Sequence, residues 1–364
     1  MKGITYISAF LICSVLCACT KQDTSVSDPI PEEEAAFISA MDISSYPEIE
    51  GDGGIFLDSN GMEHDFLKLL QKNGINTLRL RLWVNPNEVH SSLAEVHRLS
   101  ERAKALGFDI WLALHYSDTW ADPGQQQTPQ AWEGLPYSIL KDSVYTYTRK
   151  VMDEIQPDFI QIGNEINSGF LHPEGTTTNM PQFKGLLQSG IDAVRATDSN
   201  CKIVLHFAGI ENSEWFFGEL AALDYDVIGL SYYPIWHGKS IAQLENTITN
   251  LSTRFNKDVL IAETAYPFTL DWNDYTNNIV GLDEHLILPD YPATPEGQAA
   301  FVSRIKTLCL SSERTIGYAY WGGELIAWKG PQATDASPWE NQALFDFSGK
   351  ATPAFSVMNS NHTQ

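Results

Sequence analysis

From residue 37 onward the chain alternates between short apolar runs and longer stretches in which apolar residues recur every three or four positions. The short runs are FISAMDIS (37–44), TLRLRLWV (77–84), DIWLALHYS (109–117), FIQIGNEIN (159–167), KIVLHFAG (202–209), VIGLSYYP (227–234), VLIAETAY (259–266) and TIGYAYWGG (315–323). They are rich in β-branched and aromatic residues and nearly continuous in apolar character, which predicts strands of a parallel sheet covered on both faces. Between them, HDFLKLLQKNG (64–74) and LAEVHRLSERAKALG (93–107) show helical spacing and stop on Gly74 and Gly107. Eight alternating units predict an α/β fold, a closed (β/α)8 TIM barrel in a single domain over residues 37–358. An open doubly wound sheet is the alternative. It usually carries a Gly-rich phosphate turn after its first strand, and none follows here.

Such a barrel gathers its working groups at the C-terminal ends of its strands. Those ends carry Asp42 and Ser44, Arg81 and Trp83, His115 to Asp118, Asn164 and Glu165, His206, Tyr232 and Tyr233, Glu263, and Trp321. Chemistry at the same end of every strand predicts a lined cavity. The two glutamates weigh most, because a carboxylate is costly to bury unless partners are supplied. Two of them closing different buried strands suggest a site built to hold a carboxylate pair, the working parts of most glycoside hydrolases. The other reading of each is a buried ion pair that braces the barrel. Of the 10 tryptophans, Trp120, Trp236, Trp321 and Trp328 fall at or just beyond strand ends, where flat rings can cover the C–H face of a sugar. Trp83 and Trp111 suit core packing better.

Charge narrows the partners. With 23 Lys and Arg against 46 Asp and Glu, the formal net charge is −23. That excludes nucleic acid and anionic membrane surfaces and would repel a polyanionic substrate, whereas a neutral polymer is compatible. No HExxH, CxxC pair or P-loop is present. At the N-terminus, Lys2 precedes the apolar run Ile4 to Ala18, too short to span a bilayer comfortably. The run ends Leu16-Cys17-Ala18-Cys19, which resembles a bacterial lipoprotein signal: residues 1–18 are cleaved and Cys19 carries lipid. An ordinary secretory peptide is the alternative. Residues 19–36 are polar, acidic and Pro-containing, a flexible tether, and residues 359–364 form a tail. Cys201 and Cys309 then remain, as buried thiols or as a disulfide.

HYSDTWADPGQQ (115–126), QIGNEINSG (161–169), GLSYYPIWHG (229–238) and AETAY (262–266) resemble glycoside hydrolase family 53, the endo-β-1,4-galactanases of type I arabinogalactan. RLRLWVNP (79–86) and NQALFDFSGK (341–350) match as well, so the resemblance spans about residues 38 to 355. It implies a retaining endo-hydrolase of a neutral galactan, needing no cofactor for catalysis, with Glu165 as acid/base and Glu263 as nucleophile. A retaining pair sits about 5–5.5 Å apart.

The resemblance also assigns supporting roles. Asn164 would bond the sugar 2-hydroxyl, and Trp321 would lie under the reacting sugar before a cis Trp321–Gly322 peptide. Asp118, Thr119, Trp120 and Ala121 would line the substrate site. Arg79 and Arg81 point to one side of their strand; Arg81, nearer the top, is expected to hold Glu263 charged, and Arg79 to form an ion pair in the barrel interior or at the lower rim. One of Tyr232 and Tyr233 is expected to donate to Glu263. His115 and His206 read either as subsite ligands or as satisfied core histidines. Some bacterial relatives carry calcium in the loop after strand seven; here Asp271, Asp274 and Asn277 supply oxygens at a different spacing, too few alone for calcium. Two other functions stay open: a surface glycan-binding lipoprotein without catalysis, and a clan relative acting on β-1,4-glucan or mannan. The expected protein is a monomeric lipoprotein of the outer membrane, on the cell surface or facing the periplasm.

Overall fold

The structure, a computed structural model, describes Met1, Gly3 and residues 37–360. The proposed signal, Cys19 and the tether therefore lie outside the described residues, apart from Met1 and Gly3, as do residues 361–364 of the tail. No helix among the described residues is long and apolar enough to cross a membrane.

Eight strands close into a barrel in chain order: β1 (Ile38–Asp42), β2 (Thr77–Leu82), β3 (Asp109–Leu114), β4 (Phe159–Ile162), β5 (Lys202–Ala208), β6 (Val227–Ser231), β7 (Asp258–Thr264) and β8 (Thr315–Tyr320). All neighbours are parallel, and β8 closes on β1. The eight predicted strands are all present. Each ends earlier than its apolar run, by one residue in β5 and by five in β4. The chain leaves the ladder where the functional side chains begin.

Helices follow the predicted stops. Phe66–Lys72 is capped by Asp65, which accepts from Lys68 N–H at 3.0 Å, and Leu93–Lys104 by Ser92. Inside the barrel, Ile38, Ala40, Trp111, Val204, Val227, Leu260, Ala262 and Ala319 form an apolar plug. With a side-chain period of two, the next inward positions are Asp42, Arg79, Gln161, His206 and Ser231. The plug therefore fills the lower barrel and a buried polar layer lies on it.

Strict alternation fails at one informative place. Leu260 and Ala262 point inward, so Glu263 should face the helices. Instead, Leu230 pairs with Ile261 and Ser231 with Glu263, one extra residue on β7, and the pairing with β8 shifts as well, between Val259 and Leu260 and again between Ile261 and Thr264. This β-bulge turns Glu263 into the mouth. Cys201 and Cys309 are buried free thiols, not a disulfide, and burial pushes both thiols up, Cys201 to about 12.

Gln298, in the helix Pro295–Leu310, ties the upper barrel together. It is fully buried; its amide nitrogen donates to Tyr266 O and Ala343 O, both at 2.9 Å, and its oxygen accepts from Thr352 Oγ1 at 2.8 Å. Gln298→Leu strands these groups without water and should lower unfolding stability by about 3 kcal/mol. Urea denaturation reads this directly; a midpoint equal to that of the wild type would show that the amide is replaceable.

Candidate active site

The polar layer opens into a cavity of about 790 Å³ at the C-terminal mouth, lined by Asp42, Arg79, Asn164, Glu165, Tyr233 and Glu263 among others. Glu165 reaches it because the chain after β4 turns sharply. Gly163 takes φ +83° and Glu165 itself φ +46°. The left-handed region suits glycine but strains most other residues, and such strain collects at functional sites. An added Cβ at Gly163 would meet Ile166 Cγ2 at 2.5 Å, so the turn requires that glycine.

Glu165 and Glu263 approach within 4.8 Å, oxygen to oxygen, with His206 inside the same limit. Their surroundings differ. Glu263 Oε1 takes an ion pair from Arg79 NH2 at 2.8 Å, and Oε2 accepts from Tyr233 OH at 3.0 Å. Burial pushes its carboxyl up, while Arg79 and Tyr233 hold it down. Glu165 has no direct cation. Burial and then the charge of Glu263 push it up to about 8, against the hydrogen bond from Ser231 at 2.5 Å. Glu263 is raised on balance as well, but Arg79 favours its ionised form, so Glu165 is the member of the pair disposed to hold the proton.

Arg79, not Arg81, clamps Glu263. It is 1% exposed; NH1 pairs with Asp42 Oδ2 at 2.6 Å, and NH2 donates to Asn164 Oδ1 at 2.8 Å. Both arginines do face inward, but the strand tilt leaves Arg79 beside Asp42 and beneath Glu263. Arg81 instead turns to the loop after β2, donating to Ser91 Oγ at 3.0 Å and lying 2.7 Å from His90 Nε2. Its guanidinium sits 3.8 Å over the Trp120 ring and 4.7 Å over Trp83. Burial lowers it to about 10, so it remains a cation. Of the two tyrosines, Tyr233 holds Glu263, whereas Tyr232 OH donates to Gly238 O at 2.9 Å.

The histidines separate. His115 lines the cavity, and its Nδ1 accepts from Ala121 N–H at 3.1 Å. His206 is fully buried in the polar layer, with Nε2 2.8 Å from Ser231 Oγ, and supports the site from below rather than lining it. Burial, reinforced by nearby cations, holds both well below their usual pKa. With both nitrogens of His206 engaged and Glu263 held by Arg79, the close trio is not a free set of metal ligands.

In the HYSDTWADP loop, Trp120 and Ala121 line the cavity, and Ala121 O accepts from Asn164 Nδ2 at 2.9 Å. Asp118 does not. Its oxygens accept from Asn85 N–H and Gln130 N–H, both at 2.9 Å, so it ties neighbouring loops. Thr119 also lies off the cavity; its N–H turns back to Ser117 Oγ. Trp236, Trp321 and Trp328 line it, and so does Trp339. Trp339 lies two residues before the matched NQALFDFSGK stretch (341–350) and far beyond the end of β8, where no strand-end signal points to it. The cis peptides among the described residues are His172–Pro173 and Leu288–Pro289; Trp321–Gly322 is not one, because Gly322 makes that turn with φ +71°.

The loop after β7 does not gather its three candidate calcium ligands. Asp271 and Asn277 are exposed; Asp274 is buried, and its Oδ1 accepts from Thr276 N–H at 2.6 Å. These residues fall short of the six to eight oxygens calcium takes.

Known proteins resemble this chain in sequence and fold along nearly the whole barrel. The sequence profile of Glycosyl hydrolase family 53 matches residues 38–358. An arabinogalactan endo-beta-1,4-galactanase of Cellvibrio japonicus is 35% identical, over 97% of this chain and 96% of that protein. Among solved structures, the GH53 catalytic domain of Ignisphaera aggregans superposes with a TM-score of 0.84 at 37% identity, covering 91% of this chain and 98% of that one. A structure of fungal beta-1,4-galactanases gives a TM-score of 0.77 at 28% identity, over 89% and 99%. The chain belongs to glycosyl hydrolase family 53.

Proposed function

We propose that this protein is an endo-acting retaining hydrolase of β-1,4-galactan, with Glu165 as acid/base and Glu263 as nucleophile. The observation that carries the mechanism is the carboxyl pair within 4.8 Å. A retaining enzyme has its carboxyls about 5–5.5 Å apart, and an inverting one about 6.5–9.5 Å to admit a water between them. Galactan as the substrate is supported by the similarity to the endo-β-1,4-galactanases of Cellvibrio japonicus and Bacillus subtilis.

In the first half-reaction the ionised Glu263 bonds the anomeric carbon. The bond to the leaving oxygen breaks, and that oxygen takes the proton of Glu165. Esterification removes the charge on Glu263 that had pushed Glu165 up. Glu165, now a carboxylate, then takes a proton from water as the water oxygen bonds the anomeric carbon and Glu263 is released. No metal enters either half. A glycan-binding protein without catalysis would need neither a nucleophile clamped by Arg79 nor a neighbouring acid that keeps its proton. A glucanase or mannanase could share the pair, but the family match points to galactan.

From the N-terminal sequence we further infer a monomeric lipoprotein, lipidated at Cys19 and held at the outer membrane facing outward, where a large polymer is reachable. Cys19→Ala should release the protein from the membrane fraction, and protease added to intact cells should digest the wild type. Full protection would move it to the periplasmic face.

Two measurements test the chemistry. In a time course on linear β-1,4-galactan, with β-1,4-glucan and mannan alongside, mid-sized oligosaccharides should appear early and from galactan alone. Glu165→Ala should lower kcat by roughly 10²–10⁴-fold and Glu263→Ala by at least as much. Retained galactan binding without any hydrolysis by the wild type would return the reading to a capture protein.

The pH profile follows from the two carboxyls. Activity needs Glu165 protonated, so kcat/KM should fall as pH rises through about 8. It needs Glu263 ionised, so activity should also fall on the acid side. Both apparent values belong to the pair. An alkaline limb that persists unchanged in Glu165→Ala would assign that limb to another group.

A further inference from the structure

Ser231 closes β6, fully buried, and its hydroxyl donates to Glu165 Oε1 at 2.5 Å. His206 Nε2 lies 2.8 Å from the same hydroxyl oxygen. A hydroxyl and an imidazole can each direct a proton either way. Here groups of fixed polarity settle the direction. Arg79 can only donate, and it donates to Gln161 Oε1 at 3.3 Å, so the Gln161 nitrogen faces the other way. That nitrogen donates to Gly163 O, which can only accept, at 3.0 Å, and it lies 3.0 Å from His206 Nδ1.

The backbone N–H of Glu165 is directed at the same Nδ1, at 3.4 Å. Asn164 Oδ1, 3.2 Å from Nδ1, already accepts from Arg79 and Gln161. Gln161 has two amide protons and gives them to Gly163 O and Asn164 Oδ1, so the Glu165 N–H is the donor at Nδ1, and no acceptor is left free to take a proton from Nδ1. It must be the unprotonated nitrogen, and the ring proton sits on Nε2. Nε2–H then donates to Ser231 Oγ, and the proton of Ser231 is left for Glu165 Oε1.

We propose that this line of donors makes Ser231 the positioning residue of the acid/base: it keeps the transferable proton of Glu165 on Oε2 and stabilises the carboxylate that Glu165 becomes once that proton has left. The proposal rests on the reading of Glu165 as acid/base. In the first half-reaction the Oε2 proton passes to the departing oxygen as the glycosidic bond breaks. In the second, a water proton returns to Oε2 as the ester bond to Glu263 breaks. Ser231 transfers no proton in either half; it offers the same donor in both. Other groups act on Glu165 as well. Glu263 from β7 and Asp122 from the loop after β3 oppose its ionisation, and Arg79 from β2 favours it. His206 from β5 and Tyr233 after β6 stay uncharged.

The test compares Ser231→Ala, Ser231→Thr and Glu165→Ala with the wild type, on galactan and on a dinitrophenyl β-galactobioside. Dinitrophenolate leaves without a proton, so kcat on that substrate reports the second half-reaction. Ser231→Ala removes a donor to the charged form. It should move the alkaline limb of kcat/KM on galactan up by about one pH unit and lower kcat on the aryl substrate about 10-fold. Ser231→Thr, which keeps the hydroxyl, should recover most of that rate. An unmoved limb, or a loss equal on both substrates and not recovered by threonine, would overturn the proposal. Glu165→Ala keeps the two readings apart. If it cleaves galactan like the wild type, the acid/base assignment itself fails. If it shows a leaving-group-dependent loss while Ser231→Ala shows no response, only the role of the serine is removed.

Discussion

Arg79 carries a full charge inside the barrel, where a cation is tolerable only if it is paired and hydrogen-bonded. Its guanidinium meets that need with Asp42 and Glu263 on separate nitrogens, and with the side-chain oxygens of Asn164 and Gln161. The planar fork matters, since a lysine at the same place offers a point charge and could not bridge these partners at once. The pairing also makes two chemically identical glutamates unequal. Glu263 has the cation at 2.8 Å, whereas Glu165 meets a neutral serine. The arginine that favours the ionised form of Glu263 thereby favours the negative charge that opposes ionisation of Glu165.

That inequality depends on backbone irregularity at two strand ends. A regular β7 would send Glu263 toward the helices, and a regular β4 would carry Glu165 away from the cavity. The bulge beside Ala262 and the left-handed turn at Gly163 and Glu165 correct both. Neither is an isolated distortion. The turn after β4 is held where Gln126 Nε2 donates to Asn164 O at 2.8 Å, and the bulge where Tyr232 N–H donates to Glu263 O, also at 2.8 Å. The energy of irregular backbone is offset by hydrogen bonds that the same irregularity makes possible.

These features explain what the sequence made legible. Strand number, order and the two glutamates could be read because apolar runs and their C-terminal ends are local signals. The expectation that Arg81 holds Glu263 was wrong and Arg79 does so, since parity gives the face of a strand but not the tilt and stagger of the barrel. Tyr232 and Tyr233 were undecidable for a related reason: pairing registers break where β6 ends. Asp118 looked like a ligand because its motif surrounds the site, yet loop geometry turns its carboxylate onto Asn85 and Gln130. Trp339 carried no strand-end signal, because it arrives from a long excursion after β8. The expected cis peptide failed because glycine at 322 provides the turn by its own φ.

The aromatic rim follows a different logic from the carboxyl pair. Ring contacts run from Trp120 to Trp321 at 6.1 Å, from Trp321 to Trp339 at 4.6 Å, and from Trp339 to Trp236 at 6.0 Å. Successive planes are inclined by 55°, 61° and 63°. Parallel faces would suit the flat ribbon of a polymer linked through equatorial oxygens at both ends. A β-1,4-galactan is linked through the axial 4-oxygen, so its successive rings turn relative to one another. Rings that turn along the rim can each meet an apolar sugar face of such a chain. Arg81 covers Trp120 at one end of this rim, its guanidinium 3.8 Å from the ring centroid, beside the ring contacts Trp120 makes with Trp83, His115 and Trp321. The two arginines of β2 thus have different partners: Arg79 pairs with the carboxylates of the site, and Arg81 packs on the aromatic rim.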